Sequence, residues 1–165
     1  MSRGPRAGSG LLRALQSELR DDASTESAKA FTKQAVADAL ADELPELSPT
    51  GLARNLADFW RFAERRRGRA PQIRIAPALD AGLDRLEIVQ DDAPFLVDSV
   101  MGEIADQGLS VRAMFHPVVE VRRDRSGLRG ETGTPRRESM IGVMLGAIGA
   151  DREQALVAGI KATLA

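Results

Sequence analysis

From Leu109 to Arg123 the chain alternates with a period of two, and this pattern restricts the fold more than any other feature. Leu109, Val111, Ala113, Phe115, Pro117, Val119 and Val121 take the odd positions, and Ser110, Arg112, His116, Glu120 and Arg122 are among the even ones. Successive side chains of a strand point to opposite faces, so the run predicts one long strand with one face buried and one open. Pro117 has no N–H to give to a ladder. That places the strand at a sheet edge, or puts a bulge in it.

The segments around it supply a sheet and its helices. Gln72–Ala76 reads as a short strand with Ile73 and Ile75 on one face, and Arg85–Gln90 as a second with Leu86 and Ile88 inward. Asp91, Asp92 and Pro94 then stand where caps belong, ahead of a helix running to about Gln107 and stopped by Gly108. Its apolar face is Phe95, Leu96, Val97, Val100, Met101, Ile104 and Ala105. Asp124–Pro135, rich in glycine and charge, predicts a flexible hairpin loop, and Glu138–Ala147 a largely apolar central strand. Asp151 heads a last helix with Leu156, Val157, Ile160 and Leu164 inward.

The order from residue 71 onward is therefore β-β-α-β-β-α. It matches a ferredoxin-like fold whose last strand has moved to the front: an α+β domain with an antiparallel sheet and two helices on one face. The Pro117 strand takes the edge.

Ahead of Pro71 the period is helical. Met1–Gly10 is expected to be disordered, and residues 11–69 form a small helical unit. Leu11–Leu19 suits a short helix, and Ser24 to about Leu44 a second, with Asp21, Asp22 and Ser24 as candidate caps. Ser48 followed by Pro49 is an N-cap with proline in the first turn. Leu52, Leu56, Phe59, Trp60 and Ala63 make one stripe behind it. Arg65, Arg66 and Arg67 read as a solvated last turn ended by Gly68.

Composition excludes several kinds of chemistry. The chain has no cysteine, no tyrosine and one histidine, which rules out disulfides and thiolate metal sites and leaves His116 as the one imidazole. The formal net charge is −1, giving no global field for nucleic acid or an anionic membrane. No apolar run approaches the roughly 20 residues of a membrane span. A cytoplasmic protein is expected, with no metal and no cofactor in this segment.

Each candidate site has a plain reading beside the functional one. His116 reads as a surface or interface histidine, or as an effector contact. Asp91, Asp92 and Asp98 read as helix-capping acids, or as a site for the amino group of a small effector. The arginines at 65–69 and 122–125 read as solvated ends of a helix and a strand. Gly130, Gly133 and Pro135 lie between two strands, where no phosphate loop forms. Met101, Met114, Met140 and Met144 read as core or interface filler. No catalytic residue stands out.

The stretch Asp91-Asp92-Ala93-Pro94-Phe95-Leu96-Val97-Asp98-Ser99-Val100, with Gly108-Leu109, Phe115-His116-Pro117-Val118 and Arg122-Arg123-Asp124, resembles the N-terminal region of the large bacterial NAD-specific glutamate dehydrogenases. Phe59-Trp60-Arg61-Phe62-Ala63 and Ile73-Arg74-Ile75 look like that family too, so the similarity spans roughly residues 48 to 165. It implies an ACT-like domain over residues 71–165, with the catalytic region beyond Ala165. It also implies a parent oxidoreductase converting L-glutamate and NAD to 2-oxoglutarate, NADH and ammonium in amino acid catabolism. NAD belongs to that parent, and this segment is itself non-catalytic.

Asp92, Pro94 and Gly108 match the general ACT pattern. Phe95 stands where that pattern has a glycine that lets an amino-acid ligand approach the backbone. The resemblance thus favours a regulatory and assembly module, whose partners are other domains of the parent chain and further copies in a homo-oligomer. Arg112, Met114, His116 and Glu120 are its expected interface. A stand-alone amino-acid sensor, binding an effector at Asp91, Asp92 and Asp98 as an allosteric signal, is the alternative.

Overall fold

The computed structural model describes residues 5–22, 24–41 and 44–165, apart from the side chains of residues 5–8, 40 and 41. Three helices come first: α1 (Pro5–Glu18), α2 (Thr25–Ala41) and α3 (Pro49–Phe62). Helix α1 starts at Pro5, ahead of the expected Leu11; Leu11 and Leu15 on it are buried at helical spacing, as is Leu19 just past its end. Of Met1–Gly10, expected to be disordered, residues 1–4 lie outside those described, and Pro5–Gly10 belong to α1. Ser48 caps α3 as expected, its Oγ accepting from the Gly51 N–H at 3.1 Å.

The chain then forms β1 (Gln72–Pro77), β2 (Leu83–Asp91), α4 (Leu96–Asp106), β3 (Val111–Phe115), β4 (Val118–Arg123), β5 (Arg129–Gly130), β6 (Thr134–Gly146) and α5 (Ala150–Leu164). The sheet order is β1-β2-β6-β4-β5, and β3 also pairs with β6; all pairings are antiparallel. This is the α+β, permuted ferredoxin-like arrangement, with long β6 at the centre.

One strand was expected from Leu109 to Arg123, and two are found. Strands β3 and β4 run along the same edge of β6 and are interrupted at His116 and Pro117. Proline causes the break: it donates nothing, while its carbonyl accepts from the Met140 N–H at 2.8 Å.

Both sheet faces are covered. On one, Leu86, Ile88, Ile141, Val143 and Leu145 pack with Val100 and Ile104 of α4 and Leu156 and Ile160 of α5. On the other, Val89, Ala113, Phe115, Val119, Val121, Met140 and Met144 share a core with α1, α2 and α3. The approach of α3 needs Gly142, since a Cβ there would lie 2.8 Å from Phe59 Cε2.

The expected flexible loop is instead anchored. Asp124 accepts hydrogen bonds from Ser126 and Leu128, β5 pairs with β4, and Arg129 is buried. Gly127 at φ +86° allows the backbone contact of its carbonyl with the Arg66 N–H at 3.0 Å. A Cβ at Gly127 would sit 2.2 Å from the Arg66 carbonyl oxygen.

Candidate functional site

The corner between β2 and α4 holds the expected effector acids, and two of them are already paired. Asp91 ends β2 and accepts from Arg66 Nη1 at 2.8 Å and from Arg69 Nη1 at 2.9 Å. Burial would raise its pKa, but the hydrogen bonds and charges of Arg66 and Arg69 outweigh it and hold the carboxyl below the usual range. Asp92 accepts from Arg137 Nε at 3.0 Å, and its N–H donates to the Arg137 carbonyl. Asp98 lies exposed in the first turn of α4 and has no partner among the described residues.

None of the three caps α4. Phe95 is the residue before the helix, in the left-handed conformation (φ +65°, ψ 12°), and no side chain caps that end. The residue is 76% exposed. An aromatic residue held in a region natural to glycine, with its ring in solvent, gains nothing for the fold at this position.

The expected interface residues share a parity but not a common task. Arg112 pairs with Glu46, and Met114 packs in the α4–α5 layer. His116 donates its N–H to Asp38 Oδ2 at 2.8 Å, and its Nε2 meets Ser139 Oγ at 2.5 Å. Partial burial lowers its pKa, against the pull of Asp92 and Asp38. Ser27 Oγ donates to the Glu120 carbonyl at 2.8 Å, and Gln34 both donates to and accepts from Val118, at 2.7 and 2.8 Å. Polar side chains of α2 thus occupy the outer edge of β4, where backbone groups would otherwise invite another strand.

Three buried charge networks were not foreseen. In the first, Arg123 grips Glu138 with two bonds (Nε to Oε2 at 3.0 Å, Nη2 to Oε1 at 2.8 Å), and Arg66 Nη1 meets Oε2 at 2.8 Å. Arg123 also donates to the carbonyls of Ala63, Glu64 and Gly127. Burial would raise the Glu138 pKa, but Arg123 and then Arg66 hold it below the usual range. The arginine runs read as solvated ends therefore contain buried Arg66 and Arg123.

In the second, the Arg129 guanidinium lies 3.5 Å from the Trp60 ring centre and donates to the Trp60 carbonyl and Ser24 Oγ. Trp60 Nε1 donates to Asp22 Oδ2 at 2.8 Å. Burial lowers the Arg129 pKa to about 10, which still leaves it charged at neutral pH. The third is a closed ring. Arg74 and Arg85 each donate to Asp58 Oδ2 at 2.7 Å, and the same two arginines donate to the two oxygens of Glu87. Burial pushes Glu87 up against their pull, whereas in more open Asp58 the arginines outweigh burial and lower it. Each network joins the helical layer to the sheet.

Among the described residues no group of acids and histidine is placed to hold a metal ion, and no described helix is long and apolar enough to cross a membrane. A family model described as glutamate dehydrogenase, ACT1 domain, matches residues 31–159. No curated protein and no solved structure matches the chain.

Proposed function

Because this chain belongs to the glutamate dehydrogenase ACT1 domain family, we propose that it serves its parent enzyme by assembly rather than by sensing an amino acid. The parent, on this reading, is an NAD-dependent oxidoreductase that converts L-glutamate to 2-oxoglutarate and ammonium. The NAD site and the reacting groups lie in other parts of that enzyme. The observation that carries the choice is the β2–α4 corner. An effector's ammonium group needs a free carboxylate in an enclosed place, yet Asp91 and Asp92 are committed to arginines, and Asp98, the one without a partner among the described residues, lies open to solvent in the first turn of α4. A ligand's approach to the backbone needs a glycine, and Phe95 stands there with its ring turned outward.

Exposed Phe95, with Arg112 and Glu120, supplies the proposed contacts to other domains or copies. Aromatic side chains of this kind anchor interfaces. The test is Phe95→Asp in the full-length enzyme, followed by light scattering. A loss of assembled mass supports the assembly role, and an unchanged mass with normal kinetics overturns it.

A further inference from the structure

The strongest feature outside that corner is a cavity of about 420 Å³ between α1 and α2. Its volume falls in the roughly 300–1,000 Å³ range of small-ligand sites. Leu12, Leu19, Ala28 and Val36 give it apolar walls, and Arg20, Lys29 and Lys33 stand on its rim.

The charge on this rim is one-sided. Asp22 is the lining carboxylate, and it is already engaged: Oδ1 accepts from the Ser24 N–H and hydroxyl, Oδ2 accepts from Trp60 Nε1, and Arg129 lies 3.8 Å away. Lys29 has a loose, exposed contact with Glu26 at 3.6 Å, of little worth in water. Lys33 has no partner among the described residues. Lys29 and Lys33 are four apart on one helix, a like-charge spacing that mildly disfavours the helix unless an anion lies between them.

We propose that this cavity binds a small amphipathic carboxylate, its apolar tail against Leu12, Leu19, Ala28 and Val36 and its head at Lys29 and Lys33. The apolar walls demand the tail, and the exposed cations, Lys33 without a partner among the described residues and Lys29 only loosely paired, select the head. An inorganic anion meets no apolar need here, and a cationic amphiphile meets repulsion. The site lies in the helical layer, so the inference stands whether or not the β2–α4 corner serves assembly.

Trp60 supplies a built-in reporter, since it is the single tryptophan and is bonded to the cavity's own Asp22. The whole chain is titrated with decanoate below its micelle concentration, following Trp60 fluorescence and Tm, with light scattering for mass. Decyltrimethylammonium and the double variant Lys29→Glu/Lys33→Glu serve as comparisons. Both lysines are exposed, so the variant keeps the wild-type Tm without ligand. The expected result is saturable decanoate binding, with Kd about tenfold weaker in the variant and weaker still for the cationic probe. Absence of saturable binding overturns the proposal, as does equal binding by the variant or by the cationic probe. A second copy filling the cavity also overturns it, seen as a dimer that decanoate cannot enter.

Discussion

Arg66 Nη1 lies 2.8 Å from Glu138 Oε2, joining two side chains 72 residues apart, one with no exposed surface and the other 2% exposed. With Arg123 bonded to both oxygens of the same carboxylate, the pair ties the segment after α3 to the central strand of the sheet. Two cations around one buried anion are stable as a set and costly when broken, since the survivor keeps its charge in a dry place.

Glu138→Gln is therefore expected to cost about 3–5 kcal/mol in urea unfolding. The pH dependence has a definite sign. The folded pKa of Glu138 lies below its ordinary 4.5, so its contribution is present above 4.5 and is lost as pH falls through the folded value. Asp22, Asp58 and Asp91 are lowered too and act in the same acid window. The Gln variant should show a shallower loss of stability there than the wild type.

Arg129→Ala removes the guanidinium from the Trp60 face and leaves Asp22 with one charge partner fewer. A desolvated cation–π contact is worth about 2 kcal/mol, and the lost packing adds to it, so a destabilisation of about 3 kcal/mol is expected. Arg129→Lys should recover part of it, because an ammonium cannot both stack and reach the Trp60 carbonyl and Ser24. Denaturant titration of the two variants, read by Trp60 fluorescence, checks the ranking.

At a concentration low enough to keep the isolated chain monomeric, Phe95→Gly should make it more stable. Glycine adopts φ +65° freely, where an L side chain is held at a cost of about 1–2 kcal/mol, and the exposed ring leaves no hole behind. A rise in Tm of roughly 2–6 °C is expected by calorimetry. The same variant should weaken assembly of the parent enzyme. Stability and assembly thus move in opposite directions.

Gln34→Ala uncovers the edge of β4. The Val118 N–H and carbonyl lose their partner, at a cost of about 1 kcal/mol, and amide exchange at Val118 should speed up markedly. Unchanged exchange there would mean that the strand edge is protected by something other than α2.

Much of the fold was legible because its elements obey simple periods. The alternation of Leu109–Arg123 put Ala113, Phe115, Val119 and Val121 inside, and Pro117 pointed to an edge or a bulge in one strand, where the chain instead breaks into β3 and β4. The stripe behind Ser48 gave α3 and its buried face. Charged residues on the same periods were harder. Arg123 continues the inward parity of Val119 and Val121, Glu138 that of Met140, and Arg85 and Glu87 that of Leu83 and Val89, so the pattern already contained them. Their residue type pointed to solvent, and the partners that make burial tolerable come from another layer. Asp91 and Asp92 misled for a related reason. Acids before a helix read as caps, but with Phe95 in the position ahead of α4 they turn instead to Arg66, Arg69 and Arg137.

The most direct test of the assembly reading is thermal shift of the chain against the common amino acids, with light scattering for its mass. The account predicts no shift with any amino acid and a mass above that of the monomer. A saturable rise in Tm with one amino acid, growing as RT ln(1 + [L]/Kd) and abolished by Asp98→Asn, would contradict it and make the β2–α4 corner a sensor.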